Sequence, residues 1–249
     1  LDKSETLDTD ADGIGNNADT DDDADGVLDT ADDYPLNANV HTAPTTSTQS
    51  LSLNLLPQTT NTLTGTATST SQDSRAVIYS IASNGSLGTA TITDSSTGAF
   101  SYATTSTVSG NDSFTYQVND GYVDSAVATI SIELKTDPLY KYQWHLDNTG
   151  QKSFADNAGT SGGDLNVAGA IVSGRTGSGV IVAVVDSGLE IAHEDISENV
   201  VSNGSWNFST SVTDPTPLGL SGDHGTSVAG IIAAKGWNDL GGRGVAPNA

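Results

Sequence analysis

The sequence has no cysteine, no methionine, few bases and no apolar run near the roughly 20 residues that a membrane-spanning helix needs. Without cysteine, disulfides, thiolate catalysis and cysteine-ligated zinc are excluded. The 249 residues include 8 basic and 31 acidic ones, which gives a formal net charge of −23. This balance argues against nucleic acid or an anionic membrane surface as a partner, because both need a basic face. The length suits one large domain or two ordinary ones.

The acidic residues are concentrated at the start of the chain. Thirteen of the 31 lie within the first 33 residues, where Lys3 is the one base. Beyond residue 36, 18 acids and 7 bases give −11, an ordinary value for a soluble surface. Leu1 is neither an initiator Met nor the start of a signal segment. We therefore expect a very acidic head on a moderately acidic chain that is cut from a longer one.

The acidic head is an internal repeat. An Asp-x-Asp-x-Asp-Gly pattern that begins at Asp8 recurs at Asp21, thirteen residues later. Carboxylates at loop positions 1, 3 and 5, Gly at 6, a carbonyl at 7 and oxygen ligands at 9 and 12 suit one hard cation. Asp rather than Glu at position 12, without flanking helical patterns, disfavours an EF-hand. The residues predicted to bind Ca²⁺ here are Asp8, Asp10, Asp12, Asn16, Asp19, Asp21, Asp23, Asp25, Asp29 and Asp32.

Over about residues 8–36 this stretch resembles thrombospondin type 3 calcium repeats. The alternative is a disordered acidic tail, which is what blocks of like charge usually form. The repeated glycine, followed each time by an aliphatic residue (Ile14 and Val27), favours the calcium loops. Without metal, we expect the carboxylates to repel one another and the segment to be disordered.

The middle of the chain is β-like. Residues 37–50 have the composition of a linker, and residues 51–136 are rich in Thr, Ser and Val with frequent turn residues. Phe114, Tyr116 and Val118 alternate with polar residues, which predicts one buried strand face. Short strands of this kind favour an antiparallel sandwich. The predicted strands include Ala76–Ile81, Ala90–Thr93, Ala99–Ala103, Ser113–Val118 and Ala126–Ile132.

The sequences of residues 97–102 and 110–121 resemble the cadherin-like and Ig-like repeats of bacterial surface proteins. The resemblance concerns the fold and leaves the function open, with a stalk or spacer as the default. Asp112, Asp120 and Asp124 are either calcium ligands at a module end or turn-capping and solvated residues.

The last third has the patterns of an α/β domain. The β-branched run at 179–185 predicts a strand buried on both faces of a parallel sheet, which places Asp186 at its carboxyl end. Before it, Leu165 to Val172 predict a helix with Asp164 as its N-cap. Val228, Ile231 and Ile232 recur at helical spacing, so His224 begins a second helix. We expect a buried carboxylate of Asp186 to orient the His224 imidazole as a general base.

Residues 182–188 and 224–230 resemble the aspartate and histidine motifs of subtilisin-like serine peptidases. Residues 137–151 resemble the kexin-like branch of that family, and the resemblance covers only the amino-terminal part of its catalytic domain, residues 137–249. It implies that Asp186 is the orienting acid and His224 the general base. The family's nucleophilic serine, in a Gly-Thr-Ser-x-x-x-Pro motif, is not in this sequence. We therefore expect the chain alone to be inactive, with Ser227 a helix residue.

The same resemblance implies calcium binding and limits the substrate. Kexin-like peptidases bind structural calcium at the positions of Asp137 and Asp195, for which a linker residue and a helix cap are the alternatives. His193 is expected to be structural. Ser187 stands where animal convertases have a second Asp, so a preference for dibasic sites is not supported, although Asp223 keeps some negative charge near His224.

The sequence thus predicts a multidomain chain: calcium-loop repeats at 1–36, a linker at 37–50, an antiparallel β-sandwich at 51–136 and an incomplete α/β parallel-sheet subtilisin-like domain at 137–249. The predicted function is that of a secreted or cell-surface, bacterial, calcium-dependent serine endopeptidase acting on proteins or peptides. The alternative is a calcium-binding adhesin or stalk protein with a degenerate peptidase-like region.

Overall fold

Regular structure consists mainly of short strands in the first half of the chain. The computed structural model describes residues 7–56, 60–71, 75–217 and 223–249. The first six residues of the predicted calcium-loop domain therefore lie outside the described residues. The strands are β1 Thr45–Thr46, β2 Gln49–Asn54, β3 Asn61–Thr66, β4 Ser69–Thr70, β5 Ile78–Ser83, β6 Gly88–Asp94, β7 Ala99–Thr104, β8 Gly110–Asn119 and β9 Ala128–Lys135.

The strands form three sheets with the topology of a sandwich. A four-stranded sheet has the order β2-β9-β8-β5, a three-stranded sheet has the order β3-β7-β6, and β1 pairs with β4. The pairs β1–β4, β3–β7, β5–β8 and β6–β7 are antiparallel. The five predicted strands are present as β5 to β9, with bounds that differ by up to three residues. The antiparallel β prediction for this part of the chain is confirmed.

The core of the sandwich contains the alternating aromatic residues. Phe114, Tyr116 and Val118 on β8 are almost completely buried, as their spacing predicted. Phe100 on β7, in the other sheet, contacts Phe114 edge to face with ring centroids 5.0 Å apart. Aromatic pairs of this geometry add about 0.5–1.5 kcal/mol to the free energy of area burial. Because β7 and β8 belong to different sheets, this contact joins the two layers.

The stretch at 37–50 has more structure than its composition predicted. Val40 is fully buried, and β1 and the first residues of β2 lie within it. The Thr46 hydroxyl donates a 2.7 Å hydrogen bond to the Ala126 carbonyl. Long-range pairing therefore orders these residues, and local composition contains no signal for such pairing.

Two compact units can be distinguished, and each is described by itself. The first contains the acidic head and most of the strands, and the second contains the chain from Leu134 onward with two short pieces before it. The second unit has α1 Ala168–Val172, α2 His224–Ala233 and the 3₁₀ turns Tyr140–Tyr142 and Ser197–Asn199. None of the helices that the structure describes is long and apolar enough to cross a membrane.

The predicted parallel sheet is absent from the described part of the second unit. Residues 179–185 have no regular secondary structure, and Ile181 and Val185 are 80% and 92% exposed. The prediction of a buried strand there is wrong for this structure. The strands described in this chain end at Lys135, so residues 179–185 have no neighbouring parallel strand to accept their backbone hydrogen bonds.

The two predicted helices have different outcomes. Helix α2 begins at His224 as predicted, with Gly225 and Ala229 buried. Helix α1 has five residues and its N-cap is Val167, so the prediction of Asp164 as the N-cap is wrong. The Asp164 carboxylate instead accepts hydrogen bonds from the backbone N–H groups of Asn148 and Asn166, which fix a turn before the helix.

Candidate active site and calcium-binding repeats

Asp186 and His224 lie together in the second unit. His224 Nδ1 is 2.8 Å from Asp186 Oδ1 and 3.0 Å from Oδ2. The two residues are 38 positions apart in the sequence, and His224 is the first residue of α2. Because Nδ1 contacts the carboxylate, Nε2 is the nitrogen that remains to accept a proton from a hydroxyl group. An acid–base pair that activates a hydroxyl nucleophile needs this geometry.

A glycine makes the close approach of the two segments possible. A Cβ atom on Gly225 would lie 2.1 Å from the Gly188 carbonyl oxygen and 3.0 Å from Asp186 Cβ. Two hydroxyl groups complete the contact. Ser187 Oγ accepts a hydrogen bond from Gly225 N at 3.2 Å, and Thr226 Oγ1 accepts one from Glu190 N at 3.0 Å.

The electrostatics of the pair are those of an ion pair at the surface. The hydrogen bond from the Ser187 backbone N–H, followed by that with His224, lowers the pKa of Asp186. The hydrogen bond and charge of Asp186, with a smaller contribution from Asp223, raise the pKa of His224. The expectation of a buried carboxylate is wrong, because the side chains of Asp186 and His224 are 21% and 74% exposed. The missing sheet around residues 179–185 explains that exposure.

Neither Gly-Thr-Ser sequence supplies a nucleophile in the described residues. Ser227 lies within α2, and its hydroxyl donates to the Asp223 carbonyl at 3.2 Å, as a helix residue does. Ser161 lies in an exposed turn. The hydrogen bonds recorded for His224 in the described part of the chain go to Asp186.

The acidic head is a repeat in structure as well as in sequence. Gly13 N donates to Asp8 Oδ2 at 3.2 Å, and thirteen residues later Gly26 N donates to Asp21 Oδ2 at 3.1 Å. Both glycines have positive φ angles, +99° and +95°, which glycine adopts at little cost. These paired hydrogen bonds fix the carboxylate at position 1 and the turn at position 6 in each copy. No helix flanks either loop within residues 7–36.

The carboxylates of positions 1, 3 and 5 converge in both loops. One oxygen from each of the three residues lies within 4.8 Å of the others, in the groups Asp8, Asp10, Asp12 and Asp21, Asp23, Asp25. In the second loop, Asp23 and the position-12 residue Asp32 are also more than nine-tenths buried, and each has one buried oxygen without a hydrogen-bond partner among the described residues. Burial, followed by the charges of Asp25 and Asp32, raises the pKa of Asp23. Buried carboxylates with unused oxygens fit a hard cation such as calcium.

Three other predicted ligands of the repeats, Asn16, Asp19 and Asp29, accept hydrogen bonds from backbone N–H groups. Asn16 and Asp29, at position 9, accept hydrogen bonds from Thr9 N and Asp22 N, at 3.1 and 2.9 Å. Asp19 accepts hydrogen bonds from the backbone of the two residues that follow it. These three side chains therefore stabilise the loops from outside the converging groups.

Asp137 and Asp195 both contact the loop at 235–243. Asp137 accepts a hydrogen bond from Trp237 N, and Asp195 accepts one from Asn238 Nδ2 at 2.8 Å. A Cβ atom on Gly241 would lie 2.4 Å from Asp195 Oδ2, so this oxygen packs closely against the backbone of the loop. Asp137 is more constrained, because its Oδ2 lies 2.6 Å from Arg243 Nε.

Sequence reasoning missed Arg243. Its guanidinium lies over the rings of Tyr140 and Trp237, 4.2 Å from each centroid, and its side chain is 3% exposed. Burial, opposed by the Arg243 charge, raises the pKa of Asp137 to about 6. The one feature of the sequence that could have singled out Arg243 is its place between two glycines in a chain with only eight basic residues.

The aspartates considered at the end of the sandwich have structural partners. Asp112 accepts hydrogen bonds from the Tyr102 hydroxyl and from Ser86 N and Leu87 N. Asp120 pairs with Arg75 at 3.0 Å, and Asp124 accepts a hydrogen bond from Asn119. Of the two alternatives, turn and core stabilisation describes them better than calcium binding.

Two family models match separate parts of the chain. Residues 177–249, which contain Asp186 and His224, match the subtilase family, and residues 32–133 match the bacterial Ig domain. The chain therefore contains a subtilase region and a bacterial Ig-like region.

Individual relatives are proteases. An Aeromonas extracellular serine protease from Aeromonas sobria is 50% identical over 112 residues, which is 45% of this chain and 18% of that protein. Kexin from Saccharomyces cerevisiae is 44% identical over 114 residues, 45% of this chain and 13% of kexin. Neuroendocrine convertase 2 from Rattus norvegicus is 42% identical over 133 residues, 51% of this chain and 19% of its own length.

A solved structure, that of the serine protease of Aeromonas sobria, has 49% sequence identity and a TM-score of 0.44, and the match covers 46% of this chain and 19% of that one. The chain thus spans less than a fifth of the length of these relatives.

Proposed function

We propose that this chain is part of a secreted, calcium-stabilised serine endopeptidase of the subtilisin-like, kexin-related type. The single observation that carries the proposal is the contact of His224 Nδ1 with Asp186 at 2.8 Å inside the region that matches the subtilase family. The 50% identity to the Aeromonas extracellular serine protease over 112 residues supports it.

In the proposed reaction, Asp186 orients the imidazole of His224 and stabilises its protonated form. His224 Nε2 takes the proton of a serine hydroxyl as that oxygen attacks the peptide carbonyl, and returns it to the leaving amine. We place the serine in a Gly-Thr-Ser-x-x-x-Pro segment outside these 249 residues, since Ser227 is bonded within α2. The acyl-enzyme is then hydrolysed by water. On this proposal the present chain alone does not hydrolyse peptides.

The proposed substrates are proteins or peptides, without a required pair of basic residues. Ser187 follows Asp186, so no carboxylate stands at that position to bind a basic side chain. Kexin and the rat neuroendocrine convertase 2 are 44% and 42% identical to this chain over their matched parts, and their substrate preferences are not carried over.

Calcium is proposed to bind the acidic repeats. The two groups of converging carboxylates would hold the ions, with Asp32 adding a further buried oxygen in the second loop. Asp195 and Asp137 are proposed as ligands in the peptidase region. The calcium ion would then share the Asp137 carboxylate with Arg243. Calcium would supply the positive charge that the converging carboxylates of the repeats lack. Loops with three carboxylates suit the roughly 10⁻⁴–10⁻³ M affinities of extracellular modules.

A fluorophosphonate probe that labels active serines tests the peptidase proposal. A product that contains residues 1–249 and the downstream sequence is expected to be labelled and to hydrolyse an unfolded protein substrate. Asp186→Asn should reduce labelling by about 10⁴-fold, the loss known for this exchange in a catalytic triad. Asp214→Asn, which changes an exposed carboxylate outside the site, is the matched control and should be labelled normally. A downstream sequence without that serine, or equal labelling of both variants, would refute the proposal.

A further inference from the structure

Ser187 touches both halves of the candidate active site. Its backbone N–H donates a 2.6 Å hydrogen bond to Asp186 Oδ1, and its Oγ accepts a 3.2 Å hydrogen bond from Gly225 N. Ser187 is the residue directly after the acid, and Gly225 is the residue directly after the base. One side chain therefore bridges the loop that presents Asp186 and the helix that presents His224.

The N–H group of Gly225 needs an acceptor from outside its helix. The first four N–H groups of an α-helix have no acceptor within the helix, and the side chain of the N-cap residue usually supplies one. The N-cap of α2 is Asp223, whose side chain makes no capping hydrogen bond, although aspartate is among the best capping residues. The hydroxyl of Ser187, 38 residues earlier in the chain, takes over this function.

A second hydroxyl joins the same two segments in the opposite direction. Thr226 Oγ1, on the first turn of α2, accepts a hydrogen bond from Glu190 N at 3.0 Å. Between these two hydroxyl bridges, Gly225 packs so closely against Gly188 that a methyl group would overlap the Gly188 carbonyl. The orientation of α2 relative to the 186–190 loop is therefore fixed at three adjacent points.

We propose that Ser187 is a positioning residue, whose hydroxyl caps α2 from the aspartate loop and so holds the His224 ring against the Asp186 carboxylate. The same hydroxyl also hydrogen-bonds the Asp186 carboxylate and helps to lower its pKa. The role of Ser187 therefore concerns the geometry of the acid–base pair and not substrate recognition. The catalytic meaning of this role rests on the proposed peptidase function, and the bridge itself does not.

Nuclear magnetic resonance of the chain of residues 1–249 tests the proposal with two readouts. The first is hydrogen exchange at the Gly225 amide. Ser187→Ala should accelerate it about five- to tenfold, as expected for the loss of one hydrogen bond. The second is the titration of the His224 imidazole, which is faced by the carboxylates of Asp186 and Asp223. Ser187→Ala should lower its midpoint towards the ordinary imidazole value, because the ring is no longer held against Asp186.

Ser187→Thr keeps the hydroxyl, so its Gly225 amide exchange and its His224 titration should resemble those of the wild type. Ser209→Ala, an exposed serine of the same unit, is the matched control and should change neither. If Ser187→Ala loses its tertiary structure, Ser187→Cys replaces it as the test, because cysteine has a similar size and its sulfur is only a weak acceptor. Ser187→Cys should likewise accelerate exchange at the Gly225 amide and lower the titration midpoint of His224.

Unchanged exchange at Gly225 in Ser187→Ala would overturn the bridge. Faster exchange with an unchanged His224 titration would overturn the positioning role, since the hydroxyl would then only cap the helix. Neither readout measures hydrolysis. Failure of the probe-labelling experiment would therefore refute the peptidase proposal and leave this test intact.

Discussion

Arg243 and Asp137 form an ion pair that is almost entirely removed from solvent, with Nε 2.6 Å from Oδ2 and side chains that are 3% and 0% exposed. The pair joins the segment that follows the sandwich to the loop after α2, 106 residues further along the chain. The rings of Tyr140 and Trp237 both contact the guanidinium. Removing either charge would leave its partner buried and uncompensated.

Arg243→Ala is therefore expected to destabilise the second unit by about 3–5 kcal/mol, the usual loss when one member of a buried ion pair is removed. Urea denaturation followed by tryptophan fluorescence measures this, because Trp237 packs against the guanidinium. Arg175→Ala, at an exposed arginine of the same unit, is the control and should change stability by less than about 0.5 kcal/mol. Equal effects of the two substitutions would contradict the structural role of the pair.

The second prediction concerns the titration of His224. The Asp186 carboxylate raises its pKa, so the imidazole should remain protonated above the ordinary midpoint of about 6.5. At pH values below the ordinary histidine pKa, the ion pair of His224 with Asp186 stabilises the folded state fully. This contribution is lost as the pH rises through the raised pKa of His224. Asp186→Asn should lower the midpoint measured by NMR, while Asp214→Asn should not. In the complete enzyme, activity should appear as His224 loses its proton. A midpoint that is the same in wild type and Asp186→Asn would contradict the geometry.

Calcium binding to the repeats is the third prediction. Titration of the chain with CaCl₂ in a calorimeter should give a binding signal in the 10⁻⁴–10⁻³ M range typical of extracellular loops. Asp23→Asn should weaken the second site by about tenfold or more, because affinity depends on the number of charged ligands. Asp33→Asn, an exposed aspartate just outside the converging groups, is the control. The absence of any calcium-dependent heat or circular dichroism change in the wild-type chain would rule the proposal out.

The last prediction concerns the core of the sandwich. Burial raises the pKa of Asp112, but its hydrogen bonds with Tyr102, Ser86 and further backbone groups outweigh this, so its pKa is lowered below 3.8. The ionised Asp112 carboxylate therefore stabilises the folded state above pH 3.8, and this stabilisation is lost as the pH falls through the lowered pKa. Asp112→Asn should cost about 1–3 kcal/mol at pH 7, and less in acid.

Chemical denaturation followed by circular dichroism at pH 7 and pH 3 measures the difference between wild type and Asp112→Asn. Asp124→Asn serves as the control, since the hydrogen bond between Asp124 and Asn119 is exposed. A loss for Asp112→Asn that is the same at both pH values would show that the carboxylate charge does not contribute.

The alternating strands were predictable because their pattern is local. Phe114, Tyr116 and Val118 repeat with the period of a strand, and the structure buries all three. The start of α2 at His224 was predictable for the same reason. The strand expected at 179–185 was not predictable in this way, because a parallel strand depends on neighbours far away in sequence, and the described residues contain none for it.

By itself, the sequence determined the residue types and their spacings: the thirteen-residue acidic repeat, the pair Asp186 and His224, and the β pattern of the middle of the chain. The tertiary structure alone decided which side chains meet. It placed the hydroxyl of Ser187 at the start of α2 and paired Arg243 with Asp137. It also brought the Tyr102 hydroxyl to the Asp112 carboxylate, to which it donates a hydrogen bond. The physical reason is that hydrogen bonds and ion pairs need atoms within about 3–4 Å, and residues 38 or 106 apart in sequence reach that distance only when the chain folds.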